Sequence, residues 1–154
     1  MNEDYDWNDP EDCLEVIKFN SWNLEYVKNQ TPEICLIAVK RNGRVLECIR
    51  NQTPEICLVA VQQNGYALQD VKNQTLEICL AAVQQNGLAL QFVKHQTPDI
   101  CLVGIKRNAH VLEYIEEKTY NLCLEAIRQN KKTIKYINKD KFPEIHEIWR
   151  LMYE

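Results

Sequence analysis

Six of the seven cysteines recur at a constant spacing of 22 residues, and such a thiol column could bind metal or form disulfides. Its members are Cys13, Cys35, Cys57, Cys79, Cys101 and Cys123. Equivalent atoms of stacked helical units lie roughly 9–10 Å apart. A disulfide needs Cα atoms within about 7 Å, and a zinc site needs sulfurs about 2.3 Å from one metal. The spacing therefore predicts buried free thiols without metal or cofactor, and Cys48, outside the column, as the accessible thiol.

The other residues capable of chemistry do not form a recognisable catalytic set. His95, His110 and His146 occupy different positions within the 22-residue period, and none recurs with a partner. Ser21 is the only serine, and no glycine-rich phosphate loop is present. Asn-Gln-Thr at 29–31 matches a glycosylation acceptor, but without a secretion signal we interpret it as a helix-capping sequence. We predict no catalytic, cofactor-binding or metal-binding residues, and a protein that is not an enzyme.

The 22-residue period extends beyond the cysteines. Leucine follows each column cysteine, asparagine lies seven residues after it, leucine or isoleucine eleven after it, and valine or isoleucine fourteen after it. Self-similarity at a fixed period indicates a repeat architecture. We place the repeats at about 7–28, 29–50, 51–72, 73–94, 95–116 and 117–138, with a C-terminal cap at 139–154, in a single domain.

Each unit begins with the signature of a helix start. In the second unit this is Thr31-Pro32-Glu33, followed by an apolar run from 34 to 39. The threonine hydroxyl can accept a hydrogen bond from a free first-turn amide, and proline at the first helical position loses no hydrogen bond. The acidic residue meets the positive end of the helix dipole. These features predict that the first half of each unit is a helix.

A second helix is predicted after Asn42-Gly43, which we expect to end the first helix in a left-handed conformation. It runs roughly from Arg44 to Arg50 and places Val45, Leu46 and Ile49 on one face at helical spacing.

A β-hairpin is the alternative for each unit, because Asn-Gly is a common hairpin turn. It is disfavoured because Ser21, Ala109 and Lys131 replace the glycine in other copies. One short unit cannot bury its apolar face alone, so the units must stack. We therefore predict an all-α solenoid of six two-helix (helix-turn-helix hairpin) repeats closed by a C-terminal amphipathic helix. That helix carries Pro143, Ile145, Ile148, Trp149 and Met152.

The unit NQTPEICLVAVQQNGYALQDVK at 51–72 resembles an uncharacterised repeat family of giant DNA viruses of the mimivirus and marseillevirus groups. Members of that family are arrays of NQTxEICLAAVxQNGxALxxVK. The resemblance covers roughly residues 7 to 138 and is weaker in the first and last copies, where Tyr120 and Lys131 replace proline and glycine. It implies a helical array of viral origin and supplies no catalytic residues.

Charge is distributed unevenly along an acidic chain. The formal net charge of −4 argues against a duplex nucleic-acid binder, which needs basic residues to replace condensed counterions. Residues 1–12 carry six acids and no base, whereas 128–141 carry six Lys or Arg and one Asp. This asymmetry supports an alternative function, head-to-tail self-assembly into a structural or virion-associated component.

The sequence predicts neither a membrane partner nor secretion. It contains no stretch of about 18 apolar residues, and its acidic start lacks the parts of a signal peptide. We expect an intracellular protein, in the host cytoplasm, nucleus or viral factory.

A second alternative is a nucleic-acid-binding repeat protein, since helical repeats can recognise one base each. Lys40-Arg41, Lys106-Arg107 and Arg128 form a basic stripe in one column, but Gln62-Gln63 and Gln84-Gln85 interrupt it. Basic residues are favoured at helix C-termini by the dipole. We interpret the stripe as the exposed ends of the first helices, which makes nucleic acid the less favoured partner.

Two variable columns on the second helices are the candidate binding residues. Invariant columns hold a repeat stack together, whereas variable ones can recognise ligands. We expect the two columns to share a face because they lie four residues apart, and aromatic and arginine side chains carry interface energy. The alternative is that the aromatic residues only fill contacts between units. The columns comprise Trp22, Arg44, Tyr66, Leu88, His110 and Lys132, and Tyr26, Asp70, Phe92, Tyr114 and Tyr136, with Cys48 in the second.

The function predicted from these columns is a non-enzymatic helical scaffold that binds a protein of the host or of the virus. The sequence predicts that replacing Tyr66 and Tyr114 with alanine weakens capture of that partner.

Overall fold

The computed structural model describes residues 5–154, and these fold into an all-α solenoid of six two-helix repeats followed by a C-terminal helix. The longer helices are α1 (Pro10–Phe19), α2 (Pro32–Arg41), α3 (Pro54–Gln63), α4 (Leu76–Gln85), α5 (Pro98–Arg107), α6 (Tyr120–Gln129) and α7 (Pro143–Tyr153). The shorter 3₁₀ helices are η1 (Ser21–Tyr26), η2 (Gly43–Cys48), η3 (Gly65–Asp70), η4 (Gly87–Phe92), η5 (Ala109–Tyr114) and η6 (Lys131–Tyr136). Among these residues, no helix is long and apolar enough to cross a membrane.

The α helices begin where the sequence predicts. In α3 the Thr53 hydroxyl accepts a hydrogen bond from the Ile56 amide at 3.3 Å, and Pro54 occupies the first turn. The helix ends at Asn64, whose backbone N–H donates to the Ala60 carbonyl at 2.9 Å. Its buried face comprises Ile56, Cys57, Ala60 and Val61, and the equivalent residues of the neighbouring repeats continue the same core.

The predicted second helix is confirmed, but it is a 3₁₀ helix with shifted limits. Residues Gly43–Cys48 form this helix, which starts one residue earlier than expected and ends two residues earlier. The Asn42 side chain caps its first turn, because Oδ1 accepts from the Arg44 amide at 3.1 Å. Leu46, within the helix, and Ile49, directly after it, are both buried.

The predicted left-handed stop at Asn42-Gly43 is wrong. Asn42 is extended, with φ of −149°, and no residue between 5 and 154 has a positive φ, glycines included. Glycine is required here by a close approach between repeats, because a Cβ on Gly43 would overlap the Ala60 carbonyl oxygen of α3. Asn42 therefore ends α2 and caps η2, and Gly43 leaves the space that the Ala60 carbonyl of the next repeat occupies.

The first and last α helices depart from the repeat pattern. In α1, Asp12 occupies the position that holds a buried isoleucine in α2 to α5, and its carboxylate accepts from the Asp6 amide at 3.0 Å. In α7, Ile145 occupies the cysteine position and is fully buried. The Trp149 indole N–H donates to the Lys131 carbonyl at 2.8 Å, which joins α7 to the sixth repeat. The acidic segment 1–12 is described only from residue 5, so Glu3 and Asp4 lie outside the described residues.

Candidate protein-interaction surface

The eleven predicted binding residues lie on the 3₁₀ helices and form one surface, which we call the η face. We define the η face as the two variable columns of η1 to η6. Of the eleven predicted residues, five are exposed and six are half-buried, and Cys48, the remaining member of the columns, is half-buried too. The exposed ones are Trp22, Tyr26, Arg44, Tyr114 and Lys132. The half-buried ones are Tyr66, Asp70, Leu88, Phe92, His110 and Tyr136.

Rings of the two columns meet between neighbouring repeats, and not within one helix. The ring centroids of Tyr66 and Phe92 lie 5.9 Å apart in an edge-to-face arrangement, and those of His110 and Tyr136 lie 6.1 Å apart. Both pairs join residues 26 positions apart. The expectation that two residues four apart share a face assumed α-helical geometry, and the three-residue turn of a 3₁₀ helix removes that basis. Stacking of repeats, instead, brings the columns together.

The aromatic residues thus divide into packing residues and presented residues. Tyr66 and Phe92 cover each other, whereas Tyr26 is 53% exposed, Tyr114 38% and Trp22 37%. Tyr26 is supported by Trp7, with ring centroids 5.5 Å apart. Edge-to-face ring pairs prefer a fixed geometry. The half-buried pairs therefore hold in place the surface from which the exposed rings project.

A ladder of glutamines, which the sequence prediction missed, fixes the position of successive 3₁₀ helices. Nε2 of Gln74 donates to the carbonyls of Leu68 and Phe92, at 3.2 and 2.9 Å, and its Oε1 accepts from the Lys94 amide at 3.0 Å. Gln30 and Gln52 make the same three bonds in their repeats. Gln96 makes two of them, with the Tyr114 carbonyl and the Glu116 amide. The available signal was their recurrence every 22 residues inside the capping sequence.

The glutamines that interrupt the basic stripe have a structural role as well. Oε1 of Gln63 accepts from the Gly43 amide at 2.7 Å, and Nε2 of Gln63 donates to the Arg41 carbonyl at 3.4 Å. Gln85 makes the same contacts with the preceding repeat. Lys40 is exposed at the end of its helix, as the dipole argument predicts.

The six column cysteines are buried free thiols, as predicted. The Cys79 thiol donates to Oε1 of Gln74 at 3.6 Å, so the thiol column lines the glutamine ladder. Burial raises the pKa of every one of these thiols. Cys48 is the half-buried exception, and burial together with the charges of Glu47 and Glu25 raises its pKa too.

Thiol labelling in native buffer is therefore expected to detect one cysteine ahead of the others. Cys48 should react first, although slowly for a free thiol, because the thiolate is the reactive form and its pKa is raised. Urea should expose all seven. Cys48→Ser is the control, and it should remove the early phase and leave six thiols for urea. Several early-reacting thiols in this variant would contradict burial of the column.

The three histidines are dispersed. His95 is exposed, as expected for a solvated side chain, whereas His110 and His146 are half-buried. Nε2 of His110 lies 3.0 Å from the Asn130 side-chain amide, and Nε2 of His146 donates to the Ile137 carbonyl at 3.0 Å. Within residues 5–154, no group of three or more His, Cys, Asp or Glu is placed to hold a metal ion.

The α helices carry a second surface that the sequence prediction did not identify. The invariant leucine after each column cysteine is only half-buried. Between α3 and α4, Leu58, Leu80 and Ala81 line an open groove of about 530 Å³. Leu76, which is 58% exposed, borders it where four other repeats have proline. That substitution was the visible signal.

The fold and its surfaces define the class of the protein as an all-α repeat protein. Residues 9–53, about two repeats, match the model of a domain of unknown function (DUF4116), so this segment is similar to that family. The match covers less than a third of the chain. Comparisons with curated proteins and with solved structures gave no match.

Proposed function

We propose that the protein is a non-enzymatic scaffold that binds another protein through the η face. The observation that carries this proposal is the exposure of three aromatic rings, Trp22 and Tyr26 on η1 and Tyr114 on η5, on short helices whose ends accept hydrogen bonds from ladder glutamines. Exposed aromatic residues on rigid elements are typical anchors of protein interfaces.

The ordering of the η face supports this role energetically. Binding loses affinity when side chains or loops must be ordered on association. Here three glutamines bridge η1 to η2, η2 to η3 and η3 to η4, and ring pairs such as Tyr66 with Phe92 hold the intervening surface. A partner then meets a surface that needs little rearrangement.

Change of chemistry along the η face supports selectivity for one partner. Tyr66 meets Phe92, which lies 26 residues further along the chain. Arg44 and Asp70 are separated by the same 26 residues, so the repeat geometry places a charged patch next to the aromatic one. Charged residues at an interface fix orientation and exclude wrong partners. The resemblance to a giant-virus repeat family supports a host or viral protein, met inside the infected cell or in the virion, as the partner.

Affinity capture with a pair of matched variants tests the proposal. We expect the double variant Tyr26→Ala/Tyr114→Ala to lose proteins that the wild-type chain captures from infected-cell lysate, since anchor residues contribute about 2 kcal/mol or more each, roughly 30-fold in affinity. These two rings are chosen because they are exposed, whereas removing Tyr66 would also disturb its packing on Phe92.

Tyr120→Ala is the matched control. Tyr120 is 40% exposed but begins α6, away from the η face. This variant should capture the same proteins as the wild type, as measured by quantitative mass spectrometry and then by affinity with the purified partner. Equal capture by the double variant and the control, with helicity unchanged in both, would exclude the η face as the binding surface.

A further inference from the structure

Opposite charges are collected in two separate segments of the described chain. Residues 5–28, the first repeat and the two residues before it, carry six acids and two bases. The segment 128–141 carries six bases and one acid. All six of those basic side chains are exposed, and of the six acids only Asp12 is half-buried. Separation of this kind gives the molecule an acidic and a basic surface.

Among residues 5–154, no member of either set forms an ion pair. The one ion pair between residues 5 and 154 joins Arg150 and Glu147, at 2.7 Å, and belongs to neither set. Lysines of the basic segment instead lie over aromatic rings. The ammonium groups of Lys131, Lys135 and Lys141 lie 5.6, 4.6 and 5.4 Å from the ring centroids of Tyr153, Tyr136 and Phe142. A ring orients a lysine but leaves its full positive charge for another partner.

The position of the basic residues specifies which flank is available. Lys131, Lys132 and Lys135 lie on η6, and Lys139 and Lys141 follow in the connection to α7. Helix α7 packs on α6 and η6 and exposes three acids, Glu144, Glu147 and Glu154. An acidic surface is therefore repelled by the outer side of α7 and attracted to the η6 flank.

The acidic repeat also presents an apolar side chain. Phe19, the last residue of α1, is 91% exposed, and the equivalent residues in the next five helices are arginine or glutamine. Its neighbours on the exposed side of α1 include Glu15 and Glu11. An aromatic ring surrounded by acids combines the apolar centre and the charged rim that protein interfaces need.

We propose that the acidic first repeat of one copy of the chain docks on the basic η6 flank of a second copy. The two surfaces differ, so the contact is heterologous. It leaves one copy with a free basic surface and the other with a free acidic surface, which permits rings or open chains. The attraction acts mainly through exposed charges and depends on salt, because the Debye length falls from about 30 Å at 0.01 M to about 3 Å at 1 M.

Sedimentation of the full chain at low and high salt is the first test. We expect association at about 0.01 M salt and a dissociation constant at least roughly tenfold higher at about 1 M. The variant Lys132→Glu/Lys135→Glu should remain monomeric at both concentrations. Lys40→Glu/Lys106→Glu makes the same change in net charge on exposed lysines elsewhere, and it should still associate. A wild-type chain that stays monomeric at both salts would overturn the proposal.

A mixture of two variants with reversed charges tests whether the first repeat and the η6 flank are the surfaces that dock. Glu15→Lys/Glu25→Lys reverses two exposed acids of the first repeat, so this variant alone should also be monomeric. Mixed with Lys132→Glu/Lys135→Glu, it should form a one-to-one complex at low salt, because its basic first repeat now meets an acidic η6 flank. Failure of the mixture to associate, with both variants folded by circular dichroism, would refute docking between these two surfaces, as would equal loss of association in the control variant.

Discussion

Replacing Gln74 with alanine is expected to lower the free energy of unfolding by about 3 kcal/mol. The substitution removes hydrogen bonds from three backbone groups, the carbonyls of Leu68 and Phe92 and the amide of Lys94, although the Leu68 carbonyl still accepts from the Val71 amide. A buried polar group left without its partner costs about 1–3 kcal/mol. Gln74 is half-buried, so water can replace some of the lost bonds, and about 1 kcal/mol for each of the three bonds gives the expected total.

Two further variants separate this role from the loss of side-chain volume. Gln84→Ala makes the same change at an exposed position of α4, and should alter stability by less than about 0.5 kcal/mol. Gln74→Glu keeps an acceptor for the Lys94 amide but turns a carboxylate oxygen toward the two carbonyl oxygens, and should cost at least as much as Gln74→Ala. Urea unfolding measures all three, and equal stability of Gln74→Ala and Gln84→Ala would show that the ladder contributes nothing.

The sixth repeat shows how the ladder ends. Lys118 occupies the glutamine position there, and its ammonium group donates only to the Ile115 carbonyl, at 2.7 Å. A lysine has donors but no acceptor, so it cannot reproduce the bond that Gln74 accepts from the Lys94 amide. The connection beyond η6 is made instead by α7, through Trp149 and the Lys131 carbonyl.

Local features of the fold could be predicted from the sequence because their causes lie within a few residues. Thr53 accepts from an amide three residues ahead, and Pro54 fits the first turn whatever surrounds it. Burial of the cysteine column also followed, since a residue repeated in phase with the apolar positions must face the core. The same causes recur from repeat to repeat, so the 22-residue period was enough to predict the helices and their stacking.

The type of the second helix could not be predicted, because the sequence pattern fits two structures. Leu46 and Ile49 are three residues apart, which places them on one side of a helix with either about 3.0 or about 3.6 residues per turn. The choice depends on the bond from the Arg44 amide to the Asn42 side chain and on the space left by α3. That space is a property of the neighbouring repeat.

The members of the candidate surface remain a prediction, and its construction could not be predicted from the sequence. Variation along the columns singled out Tyr66 and Phe92, but their contact joins residues 26 positions apart and depends on the offset between repeats. The glutamine bonds likewise span 18 to 20 residues. No local pattern encodes these distances along the chain, so recurrence of the glutamine in four repeats was visible while its function was not.

The glycine column gives the second large effect, because the space at each glycine is set by the following α helix. Gly43→Ala is expected to destabilise the fold by about 3 kcal/mol, the upper end of the range for overpacking. Its new Cβ would overlap the Ala60 carbonyl oxygen, which is held at the end of α3 by the Asn64 amide at 2.9 Å. Relief requires α3 to move away, and that movement breaks the bond from the Gly43 amide to Gln63.

The loss of unfolding free energy caused by a glycine-to-alanine change should decrease along the column as the space at the glycine increases. At Gly65 the nearest atom to a new Cβ, the Ala82 carbonyl oxygen, is 2.6 Å away, and at Gly87 the nearest atom is 3.0 Å away. We expect Gly87→Ala to cost about 1 kcal/mol, with Gly65→Ala between it and Gly43→Ala. Ala109, buried at the equivalent position, shows that a methyl group is accommodated where the repeats stand further apart. Equal losses at the three glycines, or the reverse order, would mean that conformational freedom and not contact selects glycine in this column.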